Sequence, residues 1–287
     1  MSCVYFASSV HKLPTNYGNL TNTDFLQKPM FSAKDIFMNR EQYAEMLKTI
    51  SEVHRAGGDV HKCIMEYREK YKYVYIYNDS IFKMLFGNPA NMRMTASFLN
   101  AILKLDGGDC IDNLTFVNPA ENCDLTVVKT SANTTKKARM ERIELRVLHD
   151  DRDFFQKSLV FFTERKAVST NLCKSSLWSS DFSLISLLLF GDSPDSEKYR
   201  HCLFFESEEN KALKLNQNII FIEVLKFIKG CYTSDESRLA QWLRVIDSLN
   251  NETPIGVAED VSFVQLQKNA ELINYDDDYF LKETLYF

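Results

Sequence analysis

The sequence is poor in the residues that interrupt regular structure, with only nine glycines and six prolines among 287 residues. Such a composition excludes general disorder and low-complexity repeats, because hydrophobic residues make up 45% of the chain and aromatic residues 13%. Single cores stop growing near this length. We therefore expect one folded core with additions at both ends.

Paired cysteines are also absent. The seven cysteines are an odd number, lie far apart and include no C-x-x-C pair. This pattern excludes a disulfide scaffold and a cysteine-based zinc site, and it predicts reduced thiols in an intracellular protein, cytoplasmic or nuclear. His54, His61 and Cys63 lack a fourth ligand and a recognised metal-binding spacing, so we interpret them as scattered surface residues.

The chain has no long apolar run and no excess of positive charge. The strongest apolar run, from Leu184 to Phe190, is too short to cross a bilayer, and the first residues lack the order of a secretory signal. We expect no membrane anchor. A net charge of −5 gives no global attraction to nucleic acid, so DNA binding would need a local basic surface.

One segment could supply that surface. Between Lys129 and Arg146 lie six basic residues, including Lys136, Lys137 and Arg142, against two acidic ones. A DNA-contacting hairpin and an ordinary solvated hairpin are both compatible with this charge pattern.

The hydrophobic pattern predicts helices before and between strands, which favours a mixed α/β or α+β fold. Helical spacing appears first over Arg40–Ile50 and Val60–Tyr71, with Gly57 and Gly58 between them. Asp79 and Ser80 suit a helix N-cap. The remaining predicted elements are helices over 81–86, 89–103 and 153–174, strands over 111–117, 124–128, 140–148, 184–190, 201–205 and 219–227, and a final helix capped by Thr233 and Glu236 with an apolar stripe from Leu239 to Leu249.

Acidic and basic side chains share one face of the strand predicted over 140–148. Side chains alternate along a strand, so Arg142, Glu144 and Arg146 lie together, opposite Ile143 and its apolar neighbours. Pairing with the preceding strand would bring Asp124 near Glu144, and two carboxylates suit Mg²⁺, which prefers oxygen ligands. The ordinary alternative is a half-exposed sheet with its charges directed to solvent.

Several motifs occur in an order that resembles a known family. They are D-x-x-F-K-x-L-F-G at 79–87, F-L-N-A-I-L at 98–103, Ile143-Glu144-Leu145-Arg146 in place of I-E-x-Q, and a segment at 221–227 similar to I-E-L-x-K-F. Together they resemble the recombination-promoting nuclease and transposase family of the PD-(D/E)XK superfamily.

The resemblance implies a restriction-endonuclease-like core, a mixed central sheet flanked by helices, over residues 76–252. A helical extension would occupy 1–75, and an acidic, aromatic tail 253–287. It also implies a metal-dependent endonuclease that cuts DNA and promotes recombination, with DNA as partner, no membrane association and homo-oligomerisation left open.

Carried over to this sequence, the resemblance assigns Asp124 and Glu144 as ligands of Mg²⁺, or alternatively Mn²⁺. Arg146 stands where relatives have Lys or Gln, a residue that orients water or steadies phosphate charge. Arginine stays protonated, so Arg146 can provide charge but cannot act as a base. Asp112 and Glu121 are alternatives to Asp124.

Further residues take supporting roles in this interpretation. Lys157, Arg142, Lys136 and Lys137 are candidates for phosphate contacts, although Lys157 also fits a plain surface lysine. Asp79 either supports the site or only caps its helix, and Glu223 is interpreted as a buried, hydrogen-bonded strand residue. The rival functions are an inactive descendant that binds DNA or protein, and a structural adaptor.

Overall fold

A computed structural model describes residues 38–117, 125–131, 139–149, 181–190, 198–204, 217–230, 234–250 and 260–286. Within these ranges a six-stranded sheet carries helices against one face. Its strands are β1 Leu114–Val117, β2 Leu125–Ser131, β3 Arg139–Leu148, β4 Asp181–Leu188, β5 Arg200–Phe204 and β6 Gln217–Glu223.

The sheet is mixed, in the order β1-β2-β3-β4-β6-β5. The strands β1, β2 and β3 pair antiparallel, β3, β4 and β6 pair parallel, and β5 closes the far edge antiparallel to β6. A mixed central sheet flanked by helices is therefore confirmed. The parallel centre places β3 and β4 inside the sheet, where residues on both faces are buried.

The α-helices in the described part are α1 Arg40–Arg55, α2 Val60–Lys70, α3 Asp79–Phe86, α4 Met92–Leu103, α5 Val224–Lys229, α6 Arg238–Asn250, α7 Val261–Asn269 and α8 Asp277–Glu283. Five of these eight helices correspond to helices predicted from the sequence, namely α1, α2, α3, α4 and α6, whereas α5 was predicted as strand and no helix was predicted at α7 or α8. A 3₁₀ turn at Pro89–Asn91 precedes α4. The helix predicted over 153–174 lies outside the described residues.

Aromatic rings join the helices into one core. Phe86 and Phe98 have ring centroids 4.8 Å apart, and Trp242 lies 5.3 Å from Phe98 and 4.8 Å from Phe263. Trp242 is completely buried, and the apolar stripe predicted on its helix is buried as expected. Offset and edge-to-face rings of this kind stabilise a core beyond the area they bury.

The two faces of the sheet bury different clusters. Ile143, Leu145 and Val147 of β3 belong to the main core beneath the helices. The opposite face carries a smaller cluster of Leu184, Leu188, Leu203, Ile219 and Phe221. The prediction that the apolar run in β4 would be covered on both faces is confirmed, because its residues from Ser183 to Leu188 are all buried.

The start of α3 corrects one prediction. Asn78, rather than Asp79, is the N-cap, and its Oδ1 accepts hydrogen bonds from the backbone of Ser80 and Ile81. Asp79 is the first residue of the helix, where its charge suits the positive end of the helix dipole. Asn and Asp are similarly good caps, so composition alone did not separate them.

Two further boundaries were predicted wrongly. The strand expected over 219–227 ends at Glu223, and a helix begins at Val224, because a short apolar run does not distinguish strand from helix. The last long helix begins at Arg238, where the Ser237 hydroxyl accepts from the amide of Ala240. The predicted cap Thr233 lies outside the described residues.

The described parts of the predicted extension and tail pack together on the core. His61 of α2 bonds to Asp277 of α8 at 2.7 Å, and the backbone of Val74 donates to the carbonyl of Ala270. Phe280 is fully buried in the main core. The domain boundaries at 75 and 252 stay a prediction.

The structure bears on disulfides and on membrane-spanning helices only within the described ranges. Cys63, Cys110 and Cys202 are free thiols. Across the same ranges, every helix is too short or too polar to traverse a bilayer.

Candidate active site

Glu144 lies in the middle of β3 with none of its side chain exposed to solvent. Its backbone partner is Thr126 on β2 and its neighbour on the other side is Leu184 on β4. Arg146, two residues along the same face, is 6% exposed. The half-exposed sheet considered from the sequence is therefore wrong here, since both charged groups are buried.

Arg142 forms an ion pair with the buried carboxylate of Glu144. Its Nε donates to Oε1 of Glu144 at 2.7 Å, and its Nη2 lies 2.6 Å from the same oxygen. The Arg142 side chain remains 40% exposed. The Arg142 guanidinium therefore contacts both the solvent and a carboxylate that the solvent does not reach. Charge-assisted hydrogen bonds of this kind are among the stronger ones.

Arg146 is held by the neighbouring central strand. Its Nε donates to Oγ of Ser186 at 2.9 Å, and Ser186 is its register partner on β4 and is fully buried. The guanidinium is thereby fixed on the same face of the sheet as Glu144.

The hydroxyl group of Thr126 lies beside Glu144 and is unsatisfied within the described residues. Thr126 is 1% exposed, and within the part of the chain that the structure describes its buried Oγ1 makes no hydrogen bond. Directly opposed side chains on antiparallel strands have Cβ atoms roughly 5 Å apart. An unsatisfied oxygen next to a buried carboxylate indicates room for a polar ligand at this point.

Glu141 shows what an ordinary acid on the same strand does. It lies on the other face of β3, accepts from the Ser183 hydroxyl at 2.7 Å and pairs with Lys129 at 3.8 Å. Unlike Glu144, it is partly exposed.

A protein-family model described as PD-(D/E)XK nuclease family transposase matches residues 76–282 of the chain. The chain belongs to this family. The matched interval includes the whole described sheet and runs through α7 into α8. Neither the comparison with curated proteins nor the comparison with solved structures found a match.

Membership confirms the family resemblance and the restriction-endonuclease-like α/β fold. It indicates a nuclease-like function with DNA as the partner. Nucleases of the PD-(D/E)XK kind generally use divalent metals.

The described residues meet the chemical requirement of a divalent cation only in part. Glu144 and Thr126 are oxygen donors, as Mg²⁺ prefers, and the unpartnered hydroxyl is compatible with a ligand or its water. Within the described ranges no group of three or more His, Cys, Asp or Glu residues is close enough to hold an ion. The second carboxylate predicted from the sequence, Asp124, lies outside those ranges, immediately before Leu125 of β2.

The other predicted residues are distributed as follows. Lys136, Lys137, Lys157 and the alternative acid Glu121 also lie outside the described part. The second alternative acid, Asp112, is exposed and lines a cleft on the far face of the sheet, so it does not join Glu144.

Asp79 is paired with a residue that the sequence did not single out. Its Oδ1 lies 3.1 Å from Nε2 of His149, the residue directly after β3. The Asp79 side chain is 63% exposed. In the described part of the chain the buried Nδ1 of His149 has no hydrogen-bond partner. No motif marked His149, and only its place at the end of the Glu144 strand could have suggested it.

Glu223 is buried, as the sequence suggested, and forms close charge contacts with two basic side chains. Its Oε1 lies 2.8 Å from Nε2 of His201, and its Oε2 lies 3.5 Å from Nζ of Lys226. Lys226 falls within the I-E-L-x-K-F-like motif, whereas His201 comes from β5. No sequence motif indicated His201, because only the pairing of β5 with β6 brings it next to Glu223.

Proposed function

We propose that this protein is a metal-dependent endonuclease of the PD-(D/E)XK transposase family that hydrolyses DNA phosphodiester bonds in recombination. The observation that carries the proposal is the burial of Glu144 beside Arg146 on a central strand of a family member. A buried acid with a nearby cation is more typical of a functional site than of a solvated strand face.

Asp124 and Glu144 are the proposed ligands of Mg²⁺ or Mn²⁺. A bound divalent ion would polarise the phosphodiester and lower the pKa of a nearby water. Glu144 supports this role with a carboxylate that the sheet holds in place. Arg142 competes with the cation for this carboxylate, because it already donates to Oε1.

Arg146 is proposed to stabilise the negative charge that develops on the phosphate. The bond to Ser186 engages its Nε and orients the guanidinium. A preorganised donor of this kind acts strongly in a buried site. Because arginine stays protonated, the proton of the attacking water must go to another acceptor or to solvent.

Arg142, Lys136, Lys137 and Lys157 are proposed to contact phosphates, with Asp79 in a supporting position. Of these, Arg142 and Asp79 have described side chains, and both are exposed enough to meet a ligand. An intracellular location, cytoplasmic or nuclear, belongs to the same proposal because DNA is the substrate.

Cleavage of supercoiled plasmid tests the proposal. The full chain would be assayed with Mg²⁺, with Mn²⁺ and with EDTA, and Glu144→Gln would be compared with Glu141→Gln. Both substitutions remove one carboxylate from β3, but on opposite faces. We expect metal-dependent cutting that is lost in Glu144→Gln and kept in Glu141→Gln. Equal cutting by Glu144→Gln and the wild type would refute it.

A second candidate is an inactive family member that binds DNA or protein. Two observations favour it: Arg146 replaces the usual Gln or Lys, and Arg142 bonds the presumed metal ligand. Salt-dependent DNA binding without cleavage in either metal would select this candidate.

A further inference from the structure

A cleft of about 1120 Å³ opens on the helical face of the sheet, away from Glu144. Its walls are α4, the turn that follows α4, the start of β5 and the first residues of α6. The volume slightly exceeds the usual range for small-molecule pockets, about 300–1,000 Å³. An open groove of this size fits part of an extended chain.

The register of the sheet separates this cleft from the candidate active site. Arg200 of β5 pairs with Ile222, which pairs with Leu187, and that residue pairs with Val147. These three apolar residues belong to the main core, whereas Glu144 alternates to the opposite face. Arg200 also donates from Nε to the carbonyl of Ile102 in α4 at 3.0 Å, so it lies on the helical side.

Positive side chains outnumber negative ones in the cleft. The lining includes five cations, Arg93, Lys104, Lys198, Arg200 and Arg238, and three acids, Asp106, Asp112 and Asp235.

Two of these charges already have partners. Arg238 pairs with Asp260 at 2.6 Å. Asp235 accepts from the hydroxyl of Tyr199 at 2.6 Å. The described lining has a formal charge of +2 before such pairs are counted, since five cations face three acids.

Three cations in the cleft have no acidic partner among the residues that the structure describes. In the described ranges no carboxylate lies within ion-pair distance of Arg93, Lys104 or Arg200. Arg93 and Lys104 are exposed to solvent, but Arg200 is partly buried, and burial lowers the pKa of its guanidinium. A desolvated cation without a counter-ion is costly, and an anionic ligand would remove that cost.

We propose that this cleft binds consecutive phosphates of a nucleic-acid strand, on the face of the sheet opposite Glu144. The choice of nucleic acid rests on the proposed function. The spacing of charge supports a chain rather than a single anion. Arg93 and Lys104 stand 11 residues apart, which is about 16 Å along a helix. Phosphates of one duplex strand rise about 3.4 Å along the helix axis and those of an extended single strand lie farther apart, so the two cations could contact separate phosphates of one strand.

The described lining favours contacts to a phosphate backbone over contacts to bases. Ser97 and Asn100 lie on α4 between the two cations, but Ser97 accepts from Arg238 at 3.2 Å and Asn100 is bonded to the backbone of Ile111, so the cations are the groups left to meet a ligand. Tyr199 is the one aromatic residue among the described lining, and it is buried and bonded to Asp235. Stacking of bases is therefore not supported, and we expect binding with little sequence preference.

Binding of a fluorescently labelled single strand in EDTA tests the proposal without cleavage. The Arg93→Gln/Lys104→Gln double variant would be compared with Lys48→Gln/Lys62→Gln, which removes the same charge from the exposed surface of α1 and α2. Each lost phosphate contact makes the negative slope of log K against log salt shallower by about 0.7 for single strands. We expect the slope of the cleft variant to be shallower by about 1.4 and the slope of the control to be unchanged. Equal slopes in the two variants would overturn the proposal.

Two additional arms identify the ligand and exclude misfolding. Inorganic phosphate, matched for ionic strength with chloride, should not displace the strand; displacement would indicate a single-anion site and overturn the strand proposal. Arg200→Met should weaken binding while circular dichroism shows a folded protein, because it removes a charge of the cleft together with a hydrogen bond to the carbonyl of Ile102. Unchanged binding in that variant would refute the role of Arg200. Binding that persists in Glu144→Gln separates this cleft from the proposed nuclease site.

Discussion

Arg142 and Glu144 form a pair whose two halves are differently exposed, so removing either one should have unequal effects on stability. Arg142→Gln leaves a carboxylate with no solvent exposure and without its two short donor contacts. Glu144→Gln leaves a guanidinium whose side chain is 40% exposed and can be hydrated. The structure thus predicts a costly variant and a mild one from a single ion pair.

The magnitudes follow from the burial of each group. Breaking a buried pair from one side typically costs about 3–5 kcal/mol, and bonds to charged groups are worth about 1.5–3 kcal/mol. Arg146 lies on the same face and offsets part of the loss. We therefore expect Arg142→Gln to lower the free energy of unfolding by about 2–4 kcal/mol, and Glu144→Gln to change it by at most about 1 kcal/mol.

Thermal unfolding in EDTA, followed by circular dichroism, measures the difference. In a chain of this size about 1 kcal/mol corresponds to roughly 2–4 °C in Tm, so Arg142→Gln should unfold about 4–16 °C below the wild type. The Arg142→Gln/Glu144→Gln double variant should recover most of that decrease. If Arg142→Gln is no less stable than Glu144→Gln, the carboxylate is not buried as described and the reasoning fails.

The same variants report on metal binding. A ligand that binds only the folded state stabilises it by RT ln(1 + [L]/Kd), about 2.7 kcal/mol at 100 times Kd. If Arg142 and Mg²⁺ compete for Glu144, Mg²⁺ should raise the Tm of Arg142→Gln more than that of the wild type. It should leave the double variant unchanged. An equal rise in all three proteins would indicate that the ion binds elsewhere.

Three further outcomes are expected. Arg146→Gln, which restores the residue of the family motif, should change plasmid cleavage at least about tenfold while Glu141→Gln does not, and an unchanged rate would exclude Arg146 from the site. Burial tends to raise the pKa of Asp260, but its bonds to Arg238 and to backbone amides hold that pKa below the ordinary value. The Asp260 carboxylate therefore stabilises the fold at pH values above the ordinary Asp pKa. This stabilisation is lost as the pH falls through the pKa of Asp260 in the folded protein. Asp260→Asn should therefore flatten the acid limb of a plot of Tm against pH below about 4, and an unchanged limb would contradict this. A Cβ at Gly87 would lie 2.4 Å from the carbonyl oxygen of Lys83, whereas one at Gly108 would meet nothing within 4 Å. Gly87→Ala should lower Tm and Gly108→Ala should not; equal Tm values would refute the predicted clash.

Elements with long periodic patterns could be predicted from the sequence, whereas the first and last residues of the elements were predicted poorly. The stripe from Leu239 to Leu249 specified α6, because its spacing matches the helical repeat over several turns. The start of the same helix was misplaced, since Ser237 and Thr233 are equally plausible caps on composition. The apolar run across Glu223 was read as one strand because neither periodicity nor length distinguished strand from helix there.

The candidate site was only partly accessible to sequence reasoning. Alternation along β3 placed Glu144 and Arg146 on one face, which the register with β4 agrees with. Burial of that face could not be predicted, because it depends on which strands lie next to β3. His149 and His201 were missed for a similar reason, since their partners are distant in sequence and meet them only through the folded topology.

The row of the sheet that contains Glu144 gives an independent reason to assign it a function. Its neighbours across β4, β6 and β5 are Leu184, Ile219 and Leu203, all apolar and buried. Replacing a buried ion pair by apolar residues of similar size is often neutral or stabilising, so stability alone does not account for a carboxylate at this point. Arg142 alone does not account for it either, because a guanidinium that is 40% exposed can be hydrated without a buried partner. However, buried Arg146 on the same face gives the carboxylate a structural role as counter-charge, so loss of cleavage counts for the proposed ligand role only where Glu144→Gln stays folded and Glu141→Gln still cuts.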